Sequence, residues 1–162
     1  MASVPAQDPS LLEAAAAPGP LRRLADPVLV TGEMLPEDFL GVESHRLRLY
    51  SHRDGALVPI RFQVDERTEE GDWVFAHGKR NNRYRSTGRL DGQDVILFMA
   101  RDAGPEAAGT LDLPGEPERI LPIEIADPVD RGRGWVYLAL RRGFNGWCLR
   151  PGSATARTTP PA

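Results

Sequence analysis

Leu57-Val58-Pro59-Ile60-Arg61-Phe62-Gln63-Val64-Asp65-Glu66 runs an apolar pattern into a polar pair and then an acidic end. Successive side chains of an extended chain point to opposite faces. Val58, Ile60, Phe62 and Val64 therefore share one side as a core-facing row, and Leu57, Pro59, Arg61, Gln63 and Asp65 share the other. Proline has no N–H to give to a ladder, so Pro59 marks an edge strand or a strand whose pairing starts beyond it. Upstream, Leu47, Leu49 and Ser51 alternate with Arg46, Arg48 and Tyr50, the period of a half-buried strand with basic residues outward. Arg53-Asp54-Gly55 lies between the two runs, and glycine tolerates the positive φ of hairpin turns. A β-hairpin is predicted.

The same period recurs along the chain. Pro27 to Val30 reads as a first strand ended by Thr31-Gly32, and Leu35 to Gly41 as a short helix begun by Pro36. Trp73-Val74-Phe75 follows the Glu70-Gly71-Asp72 turn as another short strand. Val95 to Ala100 is continuously apolar, which suits a strand buried on both faces. Ile120 to Ile125, with Pro122 again hinting at an edge, and Gly134 to Leu140 complete the set, with Asp127-Pro128 closing the first of them. Sixteen glycines and fifteen prolines in 162 residues favour turns and short strands. The fold class that follows is mainly β, an antiparallel β-sandwich over residues 21–140.

Residues 1–20 read as a flexible leader with a brief helix over Ser10 to Ala17. It has no basic n-region and no uninterrupted apolar stretch, so it is not a signal peptide as it stands. Residues 141–162 carry four arginines and no acid and end in Thr-Thr-Pro-Pro-Ala, a disordered basic, proline-rich tail by composition. The part before that tail is acidic, although the whole chain has a net charge of only −3. Nothing in that balance draws the protein to nucleic acid or an anionic membrane. No apolar run approaches the ~20 residues needed to span a bilayer as a helix. The single cysteine, Cys148, excludes an intrachain disulfide, and with no histidine near or after it a nucleophilic role has no support.

Charge is segregated locally. Asp65 to Asp72 carries five acids and one arginine, while Lys79 to Arg89 carries five basic residues and no acid. The plain reading is two solvated loops that attract each other across a hairpin mouth. The functional reading makes Lys79 to Arg89 a phosphate or sulfate contact, with Tyr84 available for stacking. His45, His52 and His77 are the only histidines; the first two fall on opposite faces of one strand and do not make a ligand pair. Carboxylates offer a better metal case. Asp91, Asp94 and Asp102 lie at loop ends, the setting from which calcium draws oxygen ligands, although the spacing is not that of an EF-hand. The alternative for Asp91-Gly92-Gln93-Asp94 is turn capping. Trp73, Trp135 and Trp147, with Tyr50, Tyr84 and Tyr137, are either a sugar-stacking set or cross-strand packing. No Ser-His-Asp elbow, phosphate loop or dinucleotide fingerprint is present. Gln63, Asp65, Glu66 and Tyr84 are the candidate ligand-binding residues, with Asp65, Glu66, Asp91, Asp94 and Asp102 expected to gather at one loop end.

The series DGALVPIRFQVDE, WVF, LDGQDVILFMARDAG, IEIADP and GWVYL resembles a group of uncharacterised bacterial exported β-sandwich proteins. Their pattern runs close to PIPFQIDE followed by LDxNDELVFMAxDxG. A looser likeness extends to β-sandwich modules found beside polysaccharide lyases. Arg61 stands where the pattern has proline, and Asp94-Val95 replaces an Asp-Glu pair, with the loss of one acid. The resemblance implies export to periplasm or cell exterior and a binding or structural role in the envelope, in place of a reaction; a cytoplasmic setting also suits the cysteine content. The alternative it implies is an accessory or lyase-like domain acting on polysaccharide. Because the pattern continues with further β-structure, the arginine- and proline-rich ending is expected to mark a truncated member.

Overall fold

The computed structural model describes residues 19–75, 86–109, 111, 113 and 117–142. The predicted leader helix, His77, Tyr84, Trp147 and Cys148 lie outside the described residues. Among the described residues seven strands form: β1 (Pro27–Thr31), β2 (Leu47–Arg53), β3 (Ala56–Pro59), β4 (Gln63–Asp65), β5 (Val95–Met99), β6 (Arg119–Ala126) and β7 (Arg133–Leu140). All pairings are antiparallel, in a three-stranded sheet ordered β1-β5-β4 and a four-stranded sheet ordered β3-β2-β7-β6. Helical structure among the described residues is limited to 3-10 turns of three residues. The fold is the mainly β, antiparallel sandwich that the periodicity predicts.

One apolar cluster joins the sheets. Val30, Ile96 and Phe98 of the smaller sheet meet Leu47, Leu49, Val136, Leu138 and Leu140 of the larger, with Leu35, Phe39 and Leu90 added from connections. Fully burying a side chain of this size is worth ~1.5–3 kcal/mol, so this row dominates the favourable side of folding. β5 is central in its sheet and β7 internal in the other, which matches their apolar runs. Both prolines sit where a missing donor costs least, since β3 and β6 are the edges of the four-stranded sheet. The β2–β3 turn places Asp54 at φ 51° and Gly55 at φ 80°, the left-handed pair that a two-residue hairpin requires.

The stretch 57–66 does more than supply a hairpin arm. It leaves the four-stranded sheet after Pro59, is held once more by Ile60 N–H donating to Leu49 C=O at 2.9 Å, and enters the three-stranded sheet at Gln63. Ile60, Phe62 and Val64 pack against the main core as predicted. Val58 is 39% exposed at the sheet edge, which corrects its place in the row. Leu57, expected outward, joins a second cluster with Tyr50, Tyr137 and Ala139. The larger sheet is covered on that outer face by Ala107, Leu111 and Leu113, from the segment that composition alone marks as a soft loop. Tyr137 fixes the cover, because its Oη accepts a hydrogen bond from Ala107 N–H at 2.6 Å.

Two further expectations change. Trp73 to Phe75 makes a single bridge between Arg67 and Trp73 in place of a strand. Its turn is self-contained: Thr68 N–H donates to Asp72 C=O, and Asp72 N–H donates to Thr68 Oγ1. At the amino end two residues of the expected leader belong to the fold, since Pro20 bridges Arg133 and Gly19 C=O accepts Arg133 N–H at 2.8 Å.

Candidate functional site

The acidic end of 57–66 lies beside the entry to β5. Asp65 pairs with Val95 in register, which brings Glu66 and Arg67 alongside the Asp91–Asp94 turn. Asp94 is the centre of this corner. It is 1% exposed, and its carboxylate accepts Arg67 N–H through Oδ1 and Asp91 N–H through Oδ2, each at 2.9 Å. Asp91 closes the turn in the other direction, its Oδ1 accepting Gln93 N–H at 2.9 Å and Asp94 N–H at 3.2 Å. Such side-chain-to-backbone bonds two and three residues on are what Asx turns provide.

The turn is also clamped from outside. Gly32 N–H donates to Asp94 C=O and Glu33 N–H to Gly92 C=O, both at 2.9 Å. A Cβ on Gly32 would stand 1.8 Å from Asp91 C=O, so only glycine allows this approach. Gln93 Nε2 donates to Glu33 Oε1 at 2.9 Å across the same contact. Glu66 performs a similar service on the opposite flank: its carboxylate accepts Ser86 Oγ–H at 2.7 Å, Thr87 N–H at 2.8 Å and Gly88 N–H at 3.0 Å. The end of the basic segment thus docks on the acidic end through neutral donors.

Burial pushes the Asp94 carboxyl above its ordinary value of 3.8, against the lowering effect of the hydrogen bonds from Asp91 and Arg67. The nearby charges of Asp91 and Glu66 push in the same direction as burial. The arrangement is therefore a carboxylate spent on backbone donors inside a crowded acidic corner.

Glu66, Asp91 and Asp94 come together at this end, Asp65 adjoins them through its pairing with Val95, and Gln63 lies further along, opposite Leu97 in the middle of β5. Gln63 Nε2 donates to Asp65 Oδ1 on the edge strand β4, where Gln63 is exposed. Asp102 does not join them. It follows the far end of β5, five strand residues or roughly 17 Å away. There it lies 3.9 Å from the Arg53 guanidinium, which also donates to its backbone C=O at 3.3 Å. The expected gathering of five acids at one loop end is corrected to four. Among the described residues, no three His, Cys, Asp or Glu side chains converge as a group able to hold a metal ion.

The aromatics divide by environment. Tyr50 and Tyr137 are buried in the second cluster. Trp73 is 41% exposed with the Arg67 guanidinium 3.9 Å above its ring centre, a cation–π contact that seats Arg67 between the turn and the surface. Trp135 is half-buried and lines a cleft of about 600 Å³ at the other end of β5. Two smaller clefts measure about 400 and 200 Å³, the first apolar and between β1 and β6, the second beside His52 and Leu57. None of the three is lined by Gln63, Asp65, Glu66, Asp91 or Asp94. Sequence reading missed Gly32 and Glu33 as partners of the turn, since neither spacing nor composition marks a contact across 60 residues. Comparison with family models, curated proteins and solved structures finds no match.

Proposed function

We propose that this protein is a non-enzymatic β-sandwich that binds a partner, or serves a structural role, in the bacterial envelope. The observation that carries the reading is the use of the acidic corner: Asp94, Asp91 and Glu66 all spend carboxylate oxygens on backbone N–H groups of the chain itself. Carboxylates engaged in this way position loops, whereas acid–base work needs a pair facing a substrate in a cleft. The envelope setting draws its support from the sequence pattern at Pro59 to Glu66 and Asp91 to Gly104. In this reading Gln63 and Asp65, on the outer edge of β4, form the contact tip, and Glu66, Asp91 and Asp94 hold it in shape.

The test is a glycan array together with capture of purified envelope proteins, comparing the native chain with Gln63→Ala/Asp65→Ala. Loss of signal with an unchanged melting temperature is expected. An unchanged signal rejects the tip. A second reading, an accessory domain acting on polysaccharide, is favoured by the cleft beside Trp135.

A further inference from the structure

The 600 Å³ cleft lies where Gly19 to Leu24 passes the start of β7 and the segment after β5. We infer that it is a binding site for a neutral saccharide unit, with Trp135 and Leu21 as its apolar surface and Glu106, Glu124 and Arg133 as its polar rim. The inference rests on the reading of the chain as a binding module, but places the ligand away from the Gln63–Asp65 tip.

Size comes first, since ~300–1,000 Å³ is the range of small-molecule clefts. Rigidity comes next. Gly104 and Trp135 exchange both backbone hydrogen bonds, at 3.0 and 2.8 Å, so the floor is fixed before anything binds. Gly134 leaves room for the wall, because a Cβ there would stand 2.6 Å from Leu21 Cδ1 and 3.0 Å from Ala103 Cβ. The third element is chemistry. A sugar ring offers a C–H face and an edge of hydroxyls that both donate and accept. Trp135, Leu21 and Leu24 supply apolar surface for the face. Carboxylates accept and guanidinium donates, and Glu124 and Arg133 stand paired at 2.7 Å with their side chains 35% and 53% exposed.

Two observations narrow the class. Acids outnumber the base among the lining residues, so a phosphate or uronate would meet net repulsion. An extended peptide would find no ladder to join on β7, because Arg133 N–H is taken by Gly19 C=O and Trp135 N–H by Gly104 C=O. Side chains are left as the recognition groups, which suits a saccharide.

The experiment is an NMR titration of the full chain with cellotetraose, maltotetraose, chitotetraose and tetragalacturonate. At least one neutral oligosaccharide should move the Trp135 indole and the amides around Gly104 saturably, and tetragalacturonate should not. Arg133→Ala and Glu106→Gln should each weaken that binding about tenfold, the scale of one lost charged hydrogen bond, with the melting temperature unchanged. Should Arg133→Ala unfold, the exposed Glu106 decides through its own variant. No response to any neutral oligosaccharide at about 10 mM overturns the inference, as does binding that both variants leave intact or a preference for tetragalacturonate. If a glycan binds but shifts Gln63 and Asp65 instead, the cleft assignment fails while the binding reading stands. If no glycan binds and envelope-protein capture succeeds, the saccharide alone is lost.

Discussion

Asp94 is the most deeply buried carboxylate of the described corner. Removing its carboxylate strands two part-buried N–H groups, those of Arg67 and Asp91. Each unsatisfied donor costs ~1–3 kcal/mol, so Asp94→Ala should lose about 2–5 kcal/mol in urea unfolding. Asp94→Asn keeps one acceptor but turns an amide N–H₂ toward the other donor, and about half that loss is expected. The pH dependence has a definite sign. A carboxyl whose folded pKa is raised binds its proton more tightly in the folded state. Its contribution is fully present below the unfolded value and is lost as pH rises through the folded one. The native chain should therefore gain stability relative to Asp94→Asn as pH falls from neutral toward 3.8, the ordinary value from which burial raises this group. A constant difference across that window would contradict the assignment. Ser51 is the opposite case: it is fully buried, and its Oγ has no hydrogen-bond partner among the described residues. Ser51→Ala should stabilise the chain by about 1 kcal/mol, because it removes a buried hydroxyl whose desolvation cost no partner offsets.

At the scale of elements, legibility followed local chemistry. Asp54-Gly55 gives the β2–β3 turn outright, because only a two-residue left-handed pair closes that hairpin with the right twist. Pro59 and Pro122 mark the two edges of the larger sheet for want of a donor. The apolar run of β5 likewise announces a central strand. What could not be read was partnership across the fold. Period two assigns side chains to faces without naming the sheet, so the passage of 57–66 from one sheet to the other left no mark except Pro59. Nor does an Ala- and Gly-rich segment reveal that Ala107, Leu111 and Leu113 cover a sheet face. The acid cluster was legible as a turn signature at Asp91–Asp94 but not as a lock on Gly32, and Asp102 was misplaced because loop ends of one strand look alike in sequence. Gly32→Ala tests the lock at this scale. Its Cβ would collide with backbone, not with a flexible side chain, and about 3 kcal/mol of stability should be lost. Melting within 1 °C or so of the native chain would show that the turn can move aside.

Across the whole molecule, the two sheets are joined by one core and by three passages of the chain, from β1 to β2, from β3 to β4 and from β5 to β6, while the acidic corner ties the ends of β1 and β4 to the turn before β5. This division leaves Asp91, Asp94 and Glu66 as supports and the β4 edge and the Trp135 cleft as surfaces. Calcium would have to compete with backbone donors for the oxygens of Asp94. Thermal melts in calcium and in chelator should coincide, and a chelator-induced drop would restore the metal reading. The central claim is that the acidic corner, by tying the ends of β1 and β4 to the start of β5, adds to the stability of the whole fold, and native-state hydrogen exchange on Asp94→Ala tests it most directly. Loss of protection should reach Ile96 in one sheet and Leu49 and Leu138 in the other by the same factor, matching the loss in global stability. If the change is instead confined to the amides of Gly32, Arg67 and the Asp91–Asp94 turn, the corner is a local ornament and the account fails.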